Sequence, residues 1–117
     1  MPHRAELVTE RDGIRYVNDS KATNVHAAIA SLRGMDGAVI LLLGGSGKGE
    51  DYAPLRDVVD GVRLAICYGA EGPALATALR GATAVEERDG LVAALECARE
   101  FAVSGDTVLL SPACASF

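Results

Sequence analysis

Tryptophan is absent from this sequence of 117 residues, which has only three tyrosines and two phenylalanines. A core built on large aromatic rings is excluded. What remains is a core of Ala, Val and Leu, the kind formed by helices laid on a sheet. Lysine is scarce as well: Lys21 and Lys48 are the only two, against nine arginines. With a formal charge of −5, the chain lacks the basic face that a general nucleic-acid or polyanion binder needs. Any anionic ligand must therefore be held by a few placed cations. The three cysteines, Cys67, Cys97 and Cys114, form no CxxC or Cys/His ligand spacing. An odd number of isolated thiols suits a reduced, cytoplasmic protein. The longest apolar run, "AVILLL" at 38–43, is too short to span a bilayer. The opening Met-Pro has no charged and apolar pattern of a targeting segment, and none is expected.

The residues that are present alternate in a regular way. "HRAELVTERDGIRYVND" reads as two extended runs around a tight Asp12-Gly13 turn, a β-hairpin. In "VHAAIASLRG", Val25, Ile29 and Leu32 share one helical face and Gly34 is placed to end the helix. "AVILLLGG" is a short strand apolar on both faces, as in a buried parallel sheet. A helix over "DYAPLRDVVDG", with Pro54 tolerated near its first turn, precedes a strand at "VRLAICYG". A helix at "EGPALATALRG" and a shorter, edge-ward strand at "ATAVEE" follow. Next comes a helix at "DGLVAALECAREFA", with Leu91, Leu95, Ala98 and Ala102 on one stripe, and then a last strand at "DTVLLS". This order predicts a single domain over residues 1–117. Its fold class is α/β, a doubly wound, mainly parallel, Rossmann-like sheet opened by an antiparallel hairpin.

Ligands of such sheets bind beyond the carboxyl ends of the strands. Three polar segments leave strands there: "NDSKATN" (18–24), "GGSGKGED" (44–51) and "SPACAS" (111–116). Each alone is also ordinary turn or helix-cap chemistry. Their distinguishing mark is that both lysines fall within them, where a compact point charge rather than a planar fork is offered. The glycine loop is not a P-loop, because Leu42 replaces the first glycine and Gly49 the final Ser/Thr. Nor is it a dinucleotide fingerprint, since Gly49 comes one position too early. Cys67 and Cys97 read as buried small hydrophobes. Cys114 has no evident activating histidine, and His26 reads as an exposed first-turn residue.

Together, "YVNDSKATN" (16–24), "LLLGGSGKGEDYAPL" (41–55) and "LLSPACASF" (109–117) resemble the C-terminal domain of UDP-N-acetylmuramoyl-L-alanine:D-glutamate ligases, the D-glutamate-adding (MurD) type of the Mur ligases. The resemblance runs from about residue 3 to the end. It implies a three-domain, ATP- and Mg²⁺-dependent enzyme of peptidoglycan precursor synthesis. In that enzyme the P-loop and metal ligands lie on the central domain, and the substrate's UDP is held by the N-terminal one. The reaction implied is phosphorylation of a carboxylate, then attack of the D-glutamate amine on the acyl phosphate. Carried over, Asp19 matches the adenosine-ribose contact, and Lys21 a catalytic and ATP-binding position between nucleotide and glutamate. Thr23 and Lys48 match partners of one D-glutamate carboxylate, and Ser116 with the backbone of Phe117 the holders of the other. Family members continue past "SPACAS" with a further aromatic contact and a helix. The chain is thus expected to be a fragment with an incomplete glutamate pocket, inactive alone and binding no cofactor by itself. Its implied partners are small-molecule substrates and the other two domains, with no nucleic acid or membrane. A second reading remains open: a stand-alone, non-catalytic α/β module binding a nucleotide or small anion.

Overall fold

The Asp12-Gly13 turn forms as its chemistry requires. Both residues have positive φ, 56° and 78°, the left-handed pair that joins two antiparallel strands by a two-residue turn. It connects β1 (Glu6–Arg11) to β2 (Ile14–Asn18). The computed structural model describes residues 6–46 and 51–113. After the hairpin come α1 (Val25–Arg33), β3 (Val39–Gly44), a 3-10 helix (Ala53–Val58) and β4 (Val62–Tyr68). Then follow α2 (Gly72–Leu79), β5 (Val85–Arg88), α3 (Leu91–Phe101) and β6 (Thr107–Ala113). The six strands form one sheet in the order β1-β2-β6-β3-β4-β5. Only the β1–β2 pair is antiparallel.

β3 lies inside the sheet and is buried along its whole length. Its alternation divides the core in two. Val39, Leu41 and Leu43 join Val25, Ala28 and Leu32 of α1, Leu55 of the 3-10 helix, and Leu75, Ala76 and Leu79 of α2. Ile40 and Leu42 face the other way, with Leu64, Ile66 and Val108, against Ala94, Cys97 and Ala98 of α3. Helices therefore cover both faces, and the sheet is doubly wound as expected.

Two expectations are corrected. The segment after the glycine loop is a 3-10 helix of six residues rather than an α-helix. The chain must enter β4 at Val62, and so short a segment cannot repay the cost of an α-helical nucleus. The buried face of α3 is also rotated from the Leu91–Ala102 stripe. Ala94, Cys97 and Ala98 lie against the sheet, while Leu91 is exposed. Small side chains at those positions let the helix approach closely, and Leu95 and Ala102 pack at its margin.

The amino-terminal pole of the sheet is held by Asp106. Its Oδ2 accepts from Arg63 Nη2 at 2.7 Å and from the Val103 N–H at 2.9 Å, and its carbonyl accepts from the Arg15 N–H at 3.1 Å. Burial pushes the Asp106 carboxyl up. The hydrogen bonds from Arg63 and Val103, with the guanidinium charge, outweigh it and leave the group below the usual carboxylate range. A carboxyl with a depressed folded pKa contributes stability above its unfolded value and loses it as pH falls through the folded one. Asp106→Ala should therefore cost about 1.5–3 kcal/mol at neutral pH, kept to the lower part by the half-exposed Arg63. In urea unfolding the gap between variant and parent should close below about pH 4, near the unfolded carboxylate pKa. A gap unchanged at pH 3 would refute it.

Candidate functional site

The strand order places β2, β6 and β3 side by side, and all three point their carboxyl ends the same way. The described parts of the segments that leave them, 19–24, 44–46 and 111–113, thus lie at one edge, although they are far apart in sequence. Two backbone bonds tie the first segment to β6: the Asp19 N–H donates to the Leu110 carbonyl at 2.8 Å, and the Ala113 N–H to the Ala22 carbonyl at 2.7 Å. Ala113 is also the register partner of Gly44 at the end of β3. β6 reaches it through a bulge, since Leu42 pairs with Leu110 but Gly44 with Ala113. The extra residue bends the strand end, and Ala113 takes a left-handed φ of 64°, unusual for a residue with a side chain.

The segment 19–24 is a hydrogen-bonded platform. Asn18 Oδ1 accepts from the Ser20 N–H at 2.9 Å, and the Asp19 carbonyl from the Ala22 N–H at 2.9 Å. The Thr23 N–H donates to the Lys21 carbonyl at 2.9 Å. Asn24 caps α1, its Oδ1 accepting from the Ala27 N–H at 2.8 Å. Lys21 and Thr23 are exposed on this platform. Asp19 is not: it is 3% exposed, and its Oδ2 accepts from Ser31 Oγ on α1. The first turn of α1 has no acidic residue, so its positive end faces no carboxylate of its own.

The glycine loop leaves β3 through close contacts. A Cβ on Gly44 would lie 2.3 Å from the Tyr68 carbonyl oxygen and 2.6 Å from its ring. The Gly45 carbonyl accepts from the Glu71 N–H at 3.0 Å. On the far side of the loop, the hydroxyl of the buried Tyr52 donates to Glu71 Oε1 at 2.6 Å. Sequence reasoning missed Glu71. The only available signal was its place before the Gly72-Pro73 helix start.

Of the residues matched to site positions, the structure brings Asp19, Lys21 and Thr23 together beside Ala113 and the start of the glycine loop. Lys48, Ser116 and Phe117, like Cys114, lie outside the described residues. His26 is exposed in the first turn of α1. Cys67 and Cys97 are buried, and burial pushes the Cys97 thiol up, away from reactivity. Among the described residues, no cluster of His, Cys, Asp or Glu could hold a metal ion. No described helix is long and apolar enough to cross a membrane.

Polar segments at the carboxyl edge of a doubly wound sheet, with a lysine on a hydrogen-bonded platform, define an α/β domain of the class that takes ligands at that edge. Residues 3–114 match the family of the Mur ligase glutamate ligase domain. The chain is 52% identical to the UDP-N-acetylmuramoylalanine–D-glutamate ligase of Aromatoleum aromaticum, over 99% of its own length and 26% of that protein's. It is 46% identical to the enzyme of the same name from Chromohalobacter salexigens, over 99% of its length and 27% of the other's. A solved UDP-N-acetylmuramoyl-L-alanyl-D-glutamate–2,6-diaminopimelate ligase shares the fold, with a TM-score of 0.67, 18% identity, and coverage of 94% of this chain and 26% of that one. The chain belongs to the Mur ligase family and is its glutamate ligase domain. It spans about a quarter of the length of the curated relatives it matches.

Proposed function

We propose that this chain is the D-glutamate-binding domain of an ATP-dependent ligase that joins D-glutamate to UDP-N-acetylmuramoyl-L-alanine in the cytoplasm. The observation that carries this reading is the convergence of 19–24, the glycine loop and the β6 end at one edge, in a chain 52% identical to a ligase of that name. The stand-alone binding module is not favoured, because the matched relatives are ligases about four times as long.

The chemistry asks little covalent work of such a domain. A carboxylate is phosphorylated, the amine attacks the acyl phosphate, and phosphate leaves. Positioning and charge stabilisation do most of it. In this reading Lys21, exposed beside the positive end of α1, supplies charge where phosphoryl and amino-acid groups meet. Thr23 and Lys48 hold one glutamate carboxylate, and Ser116 with the Phe117 backbone holds the other. A dianionic amino acid at an acidic protein needs such local cations and donors. A ribose contact at Asp19 is the part the geometry supports least, since that carboxylate is turned inward to Ser31. As the family resemblance implies, the metal and most of the ATP contacts belong with the remainder of the ligase. The 117-residue chain alone should accordingly release phosphate from ATP at background rate.

In the full-length ligase, Lys48→Ala should raise the KM for D-glutamate on the order of 10–100-fold, the value of one charge-assisted contact of roughly 1.5–3 kcal/mol. The KM for ATP should change little. Lys48→Arg should rescue poorly, because a planar fork does not replace a compact ammonium among glycines. Steady-state kinetics with each substrate varied decides it. An unchanged glutamate KM would remove Lys48 from the site.

A further inference from the structure

We infer that Ser31 is a positioning residue: from the buried face of α1 its hydroxyl holds the Asp19 carboxylate inward, and so fixes the platform that presents Lys21 and Thr23. α1 buries four residues, Val25, Ala28, Ser31 and Leu32. Three are apolar, as the packed face of such a helix requires. A serine fits there only if its hydroxyl has a partner, since an unpaired buried hydroxyl costs free energy. Two acceptors are within reach. Ser31 Oγ donates to Asp19 Oδ2, and the Ala27 carbonyl, one turn back, is a second acceptor at 3.2 Å. A hydroxyl has one proton to give. Helix serines often give it to the carbonyl four residues back, but a carboxylate oxygen is the stronger acceptor. The bond to Asp19 therefore takes the proton.

This bond runs from the body of α1 to the residue that opens the platform. Asp19 is itself buried, and Ser31 is one of the contacts that hold it. The main chain passes the constraint along: the Asp19 carbonyl accepts from the Ala22 N–H, and the Lys21 carbonyl from the Thr23 N–H. Fastening Asp19 to a packed helix thus sets the places of Lys21 and Thr23, which are exposed. Groups presented in a fixed geometry cost less to order when a ligand arrives. The bond also has an electrostatic effect. A carboxylate turned outward so near Lys21 would compete with anionic groups for its ammonium. Held inward, it leaves the exposed side of the platform to the lysine and the threonine. Ser31 acts through Asp19 rather than on a ligand.

The inference rests on the reading of Lys21 as a group that meets the reacting partners, so structure and kinetics are measured separately. Ser31→Ala removes one oxygen from a face that already holds alanine, and the chain should fold. In the 117-residue chain it should speed amide hydrogen exchange at Ala22 and Thr23 by about 3–10-fold, the scale of one hydrogen bond. Exchange in β3 and β4 should stay as in the parent. In the full-length ligase it should lower kcat/KM for D-glutamate by the same factor. Asp106→Ala is the comparison, because it loosens the domain from the opposite pole of the sheet. Its kcat/KM should stay within about twofold of the parent. Unchanged exchange at Ala22 and Thr23 would show that the other contacts of Asp19 hold the platform, and would overturn the inference. Faster exchange with an unchanged kcat/KM, while Lys21→Ala does lower turnover, would leave Ser31 no positioning role. A kinetic loss no greater than that of Asp106→Ala would likewise reduce it to a residue of general stability. If Lys21→Ala turns over like the parent, the reading of Lys21 fails, and exchange at Ala22 and Thr23 alone decides whether Ser31 fixes the platform.

Discussion

Gly44→Ala is expected to destabilise the chain by about 3 kcal/mol, the upper end of what overpacking costs. The added methyl carbon would sit 2.3 Å from the Tyr68 carbonyl oxygen, far inside contact distance. That oxygen belongs to the backbone of β4 and cannot swing aside as a side chain can. Gly44 is itself held between two strands, in register with Tyr68 on one side and Ala113 on the other. Truncating the tyrosine ring should therefore not relieve the clash, and Gly44→Ala with Tyr68→Ala should stay destabilised. Gly34→Ala is the control, for its Cβ would meet only the Ser31 and Ala30 carbonyls at 3.6 and 3.8 Å. It should remain within about 0.5 kcal/mol of the parent. Equal midpoints and slopes for Gly44→Ala and the parent in guanidinium unfolding would show that the strands part to admit a methyl group.

Lys21→Ala in the full-length ligase should lower kcat on the order of 10²-fold, the effect of deleting one group that meets charge developing in the transition state. The fold should not suffer, because Lys21 is exposed and the bonds that shape its loop run through main-chain atoms and through Asn18 and Asn24. A melting temperature within a degree or two of the parent, alongside the kinetic loss, would separate function from stability. Lys21→Ala that turns over within twofold of the parent would remove Lys21 from the chemistry. The expected signature differs from that of Lys48, whose loss should be read in KM.

The parts of this fold that were legible in the sequence are those with a local physical cause. Asp12-Gly13 announces a left-handed turn, and the run from Val39 to Leu43 can only be a strand buried on both faces. The meeting of the three polar segments at one edge follows from parallel strands sharing a direction. Features set by packing between distant elements were not legible. The stripe read for α3 ran from Leu91 through Leu95 and Ala98 to Ala102, and contact with the sheet instead turned Ala94, Cys97 and Ala98 inward. Asp19 was matched to a site position by resemblance alone, and its bond to Ser31 on α1 had no signal in the sequence. Glu71 carried no motif, since its significance lies in Gly45 and Tyr52, which approach it only once β3 and β4 are paired.

The place of β6 has a consequence for how such a site comes into being during synthesis. β6 is the last strand of the chain among the described residues, yet it lies between β2 and β3. Until it leaves the ribosome, the hairpin and the β3-β4-β5 sheet have no hydrogen-bonded connection to each other. The three polar segments belong to three separate pieces at that stage: 19–24 to the first, the start of the glycine loop to the second, and the β6 end to a strand not yet made. One insertion event closes the core layers, fixes Asp19 to Leu110 and brings Ala113 against Ala22 and Gly44. Such non-local closure is slow compared with helix or hairpin formation. The nascent domain therefore cannot form this edge before β6 has been inserted.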